Sequence, residues 1–489
     1  MEKLNTDCLT LIFNELRKDK KSLYSCILVN KEWFYLVIPI LWEQLPCLFN
    51  AERLVNTILS CLPASSKQLL VDNDIKLPSS IFSKSPTFNY VSLCKSLHAS
   101  IMHDIKFLIF KEEIFKEKNL VNVNHLGRTD LLEQEIYKLF ISQCKNIKEL
   151  EWSTFQPLLS FPRALTCFSQ LHSLIIDLYY VNSDNLYEMA QICIDLNKLK
   201  IYNCSKKVPG LSSLIDAQRN LKSISFDIHR DLSSVSSYIK DEELSKILAK
   251  KGSTITTLYL YCSDIIITFS FLTSLINLKD LSINVEDNYE TNEELRKYLV
   301  NSNFPDLQYL EINFHLSCFN ELAMLIKKSK GNILRVFIYT FNKTAENSGM
   351  LLEAISNHCP KIEYIGTYLR PKDLIYMKSL LMNCRNLISL SLDNLNETDN
   401  IGDELLDILT KYSPKSLTHI SISGHWKYSI VSFKKFLESY RERKSLELCI
   451  TVDDLDNHHV TSEHINIFKE YYDEGIVVNS ELLGIMFSY

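Results

Sequence analysis

The chain has 489 residues, 46% of them hydrophobic, and carries 53 basic against 59 acidic side chains, a formal charge of -6. That length exceeds one ordinary core and asks for several domains or an elongated stack. The weakly acidic balance offers no basic field for phosphates, and no run approaches the roughly 18 apolar residues of a spanning helix, so neither a nucleic acid nor a membrane is expected as a partner.

Glu2, Asp7 and Glu15 surround the first apolar run, unlike the basic and then apolar layout of a secretory signal, and a cytoplasmic or nuclear protein is expected. The 14 cysteines include no C-x-x-C pair, so they read as packing residues rather than disulfides or zinc ligands. Leu9, Ile12, Phe13 and Leu16 fall at i, i+3, i+4 and i+7 and predict an amphipathic helix beginning near Thr6. Leu23, Cys26, Ile27 and Asn30 continue the period after the charged turn from Lys18 to Lys21. Trp33 and Val37 then open a third helix that Pro39 should end. Three helices in so short a span enclose a very small core, built here from large side chains: Phe13, Trp33, Phe34, Tyr35 and Trp42. A partner helix or the following domain is needed to complete it.

Residues 46–130 read as a helical linker: ERLVNTILSCL has helical spacing at Leu54, Ile58 and Leu62, LPSSIFSKSPTFNYVSL is rich in Pro and Ser, and there is room for one or two degenerate repeats near Ile105 to Ile109. LLEQEIYKLFISQC, from Leu131, is a helix with Ile136, Leu139 and Phe140 on one face.

Beyond it one spacing recurs. L-x-x-L-x-L or its Ile equivalent starts at Ile147, Leu171, Leu196, Leu221, Ile255, Leu278, Leu307, Ile333, Ile362, Leu387 and Leu417. The interval of about 27 residues lies in the leucine-rich-repeat range. The fourth and sixth positions share one face of a short strand, and helical patterns such as Leu186, Met189, Ala190 and Cys193 fill the intervals. Stacked, these units make an α/β solenoid over 131–457, curved because helices are wider than strands, with parallel strands on the concave side and full helices on the convex side. Cys144, Cys359 and Cys384 sit three residues before a repeat start, where a small apolar side chain packs between helix and strand. The long interval after Leu221 holds a Ser-rich insert beginning at His229, expected as an exposed loop. RKSLELCITV reads as a last strand and 458–489 as a C-terminal cap.

Taken together, LNTDCLTLIFNEL, LYSCILVNKEWF and IPILWEQL within residues 1–45, followed by the repeats, resemble an F-box and leucine-rich-repeat protein, with Val29, Lys31, Trp33, Leu41 and Trp42 matching the F-box pattern and Asn5 and Asn30 departing from it. The resemblance implies an F-box-like module that docks on a Skp-family adaptor through Leu4, Leu9, Ile12, Phe13, Leu16 and Trp33. It further implies membership of a cullin ubiquitin ligase and a role in protein degradation. The other reading is a repeat scaffold for protein interaction, with the helices as a cap and no ubiquitin link.

Chemistry is sparse. With 10 glycines the chain has neither G-x-G-x-x-G nor G-x-x-x-x-G-K, and G-x-S-x-G and H-E-x-x-H are missing too. His458, His459 and His464 suggest a solvated loop more than a metal site, and Glu149 with Glu151 has no evident tuned surroundings. No enzyme activity, cofactor or metal is expected. The third, fifth and seventh repeat positions point away from the core, and Tyr202, Tyr259, Tyr261, Tyr309, Phe337, Tyr339, Tyr364 and Tyr368 occupy them. Tyr and Phe favour strands on propensity alone. From Tyr259 to Tyr368, however, they form a stripe of the kind that anchors binding hot spots, and they are the candidate target-binding residues, with Glu149, Glu151, Asp177, Lys198 and Lys200 as flanking charges.

Overall fold

A computed structural model describes residues 5–43, 51–83, 86–116, 123–204, 207–228, 240–262, 267–285, 289–314, 318–340, 345–394, 401–424, 426–443, 445–451, 460–478, 481–482 and 485–486. Leu4, His458, His459 and the Ser-rich insert at 229–239 lie outside them. The chain forms two compact units, Met1–Cys204 with Val208–Leu221, and Ser205–Lys207 with Lys222–Tyr489.

The first unit opens with three helices, α1 (Thr6–Glu15), α2 (Lys20–Cys26) and α3 (Lys31–Glu43). Their starts are set by side-chain caps: Asn5 accepts from the Asp7 amide, Asp19 from the Ser22 amide, and Asn30 from the Trp33 amide at 2.9 Å. The two positions that depart from the F-box pattern therefore both cap helices, each satisfying an otherwise orphaned N–H. Leu9, Phe13, Leu23, Val37 and Leu41 form the core, with Leu16, Cys26, Ile27, Trp33 and Trp42 packed against it. Contrary to the sequence expectation, α3 runs through Pro39 to Glu43. Buried Val37, Ile38 and Leu41 flank the proline on both sides, and their packing outweighs the single hydrogen bond that proline removes. The completing surface comes from the same unit: Phe88 lies 5.2 Å from Tyr35 and 5.7 Å from Phe34, and Tyr90 lies 4.6 Å from Trp42.

Between positions 51 and 143 the described residues are largely helical, with Ala51–Ser60, Ala64–Asp72, Ala99–Lys116 and Val123–Gln143 as the longer elements. Ile105 to Ile109 lie inside one of these helices. The degenerate repeat strand precedes them, as β1 (Ser96–Leu97), parallel to β2 (Glu149–Trp152). β3 (Ser173–Asp177) and β4 (Lys198–Tyr202) continue the parallel order.

The second unit carries β5 (Ser223–Ile228), β6 (Thr257–Cys262), β7 (Asp280–Val285), β8 (Tyr309–Phe314), β9 (Arg335–Thr340), β10 (Tyr364–Tyr368), β11 (Ser389–Asn394), β12 (His419–Gly424) and β13 (Glu447–Thr451), each parallel to the next. β14 (Glu481–Leu482) is parallel to β13 and β15 (Ile485–Met486) antiparallel to β14. Each repeat start from Ile147 to Leu417 is followed two residues later by a strand, so the α/β repeat solenoid read from the spacing is the fold. Register follows burial: Leu258, Leu281, Leu310, Val336, Ile365, Leu390, Ile420 and Leu448 form one row of paired positions, all of them buried. A one-residue slip would turn that row to solvent.

Full helices do not close every repeat. The two shortest intervals, after Ile147 and after Ile255, hold a 3-10 turn with a five-residue helix, Ala164–Phe168, and a 3-10 helix alone, Phe269–Ser274. Too little chain remains there for a three-turn helix to span the repeat. At the C-terminal end, Ser462–Asp473 is a helix whose capping box uses His464: Thr461 and the Tyr428 carbonyl take its two ring nitrogens.

Candidate functional site

Two surfaces present side chains that the fold itself does not use. On the N-terminal helices, the i, i+3, i+4, i+7 stripe splits. Leu9 and Phe13 are core residues, Phe13 only 1% exposed, and Leu16 and Trp33 are partly buried against them; of the proposed adaptor contacts among the described residues, Ile12 alone faces solvent, at 45%. This corrects Leu9 and Phe13 as surface residues: three short helices must spend their largest apolar groups on their own core. The structure adds residues that the spacing missed. Leu11 is 67% and Leu28 84% exposed, and Val29, Tyr24 and Tyr35 are exposed as well. Leu28 and Val29 fall outside the Leu23, Cys26, Ile27 stripe, and that lack of phase was the available signal. Single exposed apolar residues need no explanation, but several large ones on so small a module make it a candidate contact surface.

The second surface is the open side of the strands in the second unit. Register places Tyr259 and Tyr261 on β6, Ser282 and Asn284 on β7, Tyr309, Glu311 and Asn313 on β8, and Phe337 and Tyr339 on β9. Small polar residues thus separate two aromatic rows. Phe337 and Tyr339 reach over β10, where residue 366 is glycine: a Cβ there would come within 2.7 Å of the Phe337 ring and of the Tyr339 hydroxyl. The Tyr309 and Phe337 rings are 6.2 Å apart, and Arg335 stacks on Tyr364 at 4.5 Å. At the centre, Glu311 Oε2 accepts from the Tyr309 and Ser282 hydroxyls, both at 2.7 Å, and the Ser282 oxygen lies 3.2 Å from the Tyr261 hydroxyl. Partial burial, with the nearby carboxylates, holds the Tyr259 and Tyr309 phenols above their ordinary value. Tyr368 departs from the expected stripe: it is 6% exposed and packs edge-on against Phe319. β10 ends at Tyr368, so the pleat no longer dictates side-chain direction, and the ring is removed from water instead. Tyr202 belongs to the first unit, where Lys200 lies over its ring at 4.4 Å.

Glu149 and Glu151, untuned by their sequence neighbours, gain a partner from the fold. His98 sits with its ring nitrogens 3.7 Å from each carboxylate, and Glu151 also accepts from the Ala99 amide. Pairing with the Glu151 carboxylate raises the His98 pKa above 6.5, and the same pairing lowers that of Glu151 below 4.5. A raised histidine contributes stability that is complete below pH 6.5 and lost as pH rises through its folded value; a lowered carboxylate contributes above pH 4.5 and fades as pH falls through its own. The two overlap between those values. His98→Gln should therefore lower the melting temperature at pH 5.5 and have much less effect at pH 8.5, by differential scanning fluorimetry; an equal loss at both would remove the ionic origin. Because both groups are partly exposed, solvent and salt screen the effect.

Among the described residues no group of three or more His, Cys, Asp or Glu is placed to hold a metal ion, and no helix is long and apolar enough to cross a membrane. No family model and no curated protein matches the chain. Solved structures similar to it include the leucine-rich repeat-containing protein LegL7 from Legionella pneumophila, 15% identical with a TM-score of 0.31, covering 62% of this chain and 91% of that one. The Rad7 and Elc1 complex in yeast is 13% identical with a TM-score of 0.37, covering 72% of this chain and 82% of that one.

Proposed function

We propose that the protein is a substrate receptor of a Skp-cullin-F-box type ubiquitin ligase: α1 to α3 dock on a Skp-family adaptor, and the open strand face of the second unit holds a target protein. Such a receptor supplies no catalytic group of its own and acts by proximity, bringing a target lysine to the ligase partner. The observation that carries the reading is the exposure of four large apolar side chains on the helical module, Leu11, Ile12, Leu28 and Val29. The scaffold alternative draws support from the rings of Phe88 and Tyr90 packed on α3, which is how a cap would be tied to its array. A cap, however, needs a polar outer face, and here Leu11, Ile12, Leu28 and Val29 stand exposed among the charged residues.

The test is co-expression of the full chain with a Skp-family adaptor, followed by size-exclusion chromatography. The wild type should elute as a complex. Ile12→Asp and Leu28→Asp should each weaken it by at least tenfold, since losing one buried apolar contact of about 1.5–3 kcal/mol already exceeds the roughly 1.4 kcal/mol per decade. Melting temperatures should hardly move, because both side chains are already in water. A wild type that never binds the adaptor, or variants that bind it as well as wild type does, would remove the ligase role and leave the scaffold.

A further inference from the structure

The open face of the second unit carries more than aromatic rings. Between the rows on β6 and β9, three strand spacings apart or roughly 14 Å, the floor is short and polar: Ser282, Asn284, Glu311 and Asn313. Glu311 is the charge at its centre. Its Oε2 is held by two hydroxyl donors, and no basic side chain among the described residues pairs with it. Two residues along the same strand, the buried Oδ1 of Asn313 accepts no hydrogen bond. The neighbouring charges on this face are also acidic, with Asp280 opposite Tyr309 and Asp227 opposite Tyr261. Arg335, a cation on the same face, is spread over the Tyr364 ring.

These features select a ligand. An anion would meet the like charge of Glu311. A metal ion lacks the ligands, since no trio of metal-binding side chains converges among the described residues. A neutral group would cover a fixed carboxylate without compensating it, which is costly in an apolar enclosure. A cationic side chain fits: its N–H groups meet Glu311, its methylenes lie along the rings, and the ring faces attract its charge. We propose that this trough recognises a Lys or Arg side chain in an exposed segment of the target, with its cationic head on Glu311 between the walls of Tyr259 with Tyr261 and Phe337 with Tyr339. The inference rests on the reading that this face holds the target.

The test uses the full-length protein to select from a random 12-residue peptide library. Selected peptides are then resynthesised with Lys replaced by norleucine or Arg by citrulline, and affinities are read by fluorescence polarisation on wild type, Glu311→Gln, Glu311→Lys, Tyr309→Phe and Tyr339→Ala. Selected peptides should be rich in Lys or Arg. Glu311→Gln and removal of the peptide cation should each weaken binding by at least about tenfold, without adding to one another, as one broken contact requires. Tyr309→Phe, which keeps the ring and loses one donor to Glu311, should cost only a few-fold. Glu311→Lys should regain a peptide whose basic residue is replaced by Glu. Peptides weakened by Tyr339→Ala but indifferent to Glu311→Gln and to loss of their cation would overturn the cation site while leaving the face as the target surface. A selection yielding no peptide sensitive to any of these substitutions would overturn both.

Discussion

Replacing Gln218 by leucine is expected to unfold the first unit at a temperature well below that of the wild type. Gln218 is fully buried, and its carboxamide makes three hydrogen bonds, donating to the Cys193 and Leu214 carbonyls at 2.7 and 2.8 Å and accepting from the Leu196 amide at 2.9 Å. Leucine fills nearly the same volume and satisfies none of them. Each buried backbone group left without a partner costs about 1–3 kcal/mol, so the three together cost roughly 3–9 kcal/mol, a large part of the ordinary 5–15 kcal/mol stability of a domain. Urea unfolding of wild type and variant measures it directly. Cys384→Ala is the control: at the equivalent place in its repeat the Cys384 thiol makes one long contact, 3.9 Å to the Cys359 carbonyl, and its loss should cost far less. Comparable stability of Gln218→Leu and wild type would mean that these backbone groups find other partners.

The same position shows what was legible. Cys144, Cys359 and Cys384, three residues before a repeat start, read as small apolar fillers, and all are buried. Burial also pushes the Cys384 thiol up to about 12, so these are inert groups. What the residue type hid is that the site also asks for a donor to the preceding turn: Cys144 donates to the Val91 carbonyl at 3.0 Å, and Gln218 does the same work with a polar side chain that no apolar pattern would select. The strands were legible because their period of two, repeated at similar intervals, is dictated by burial alone. The repeat closures were less so, since whether three turns of helix fit depends on how much chain each interval has left. The glycines were read for missing phosphate loops, yet Gly402 has a packing role: a Cβ there would meet the Lys427 carbonyl oxygen at 2.1 Å, so only glycine lets that helix start so close to the next repeat. At the helical module the period was right and the direction incomplete, because a stripe four residues wide exceeds what so small a core can cover. On the open face the aromatic rows were legible from strand alternation, whereas Glu311 needed the register that aligns Ser282 beside it.

A chain ending at Ser413 is expected to aggregate where the full chain stays soluble. In a stack each repeat's apolar side is covered by the next, so removing the last repeats exposes an interior rather than trimming a tail. The cut removes β12, β13 and the helices Ile430–Glu438 and Ser462–Asp473, which follow β11 and the helix Gly402–Tyr412 in the stack. Leu390, Leu392, Leu405 and Leu409, all fully buried in the intact protein, would then border water. At about 1.5–3 kcal/mol for each when fully exposed, even partial exposure of these four removes a large share of a domain's roughly 5–15 kcal/mol. The backbone loses as well. β11 is paired with β12 from Ser389 opposite His419 to Asn394 opposite Gly424, and without that neighbour it becomes an unprotected edge, ready to pair with another molecule. The comparison is of soluble fraction and light scattering on expression, with thermal unfolding of whatever remains in solution. If the shortened chain matched the full protein in both solubility and melting temperature, the repeats would have to be stable one at a time, and coverage of each by its neighbour would not be what holds them.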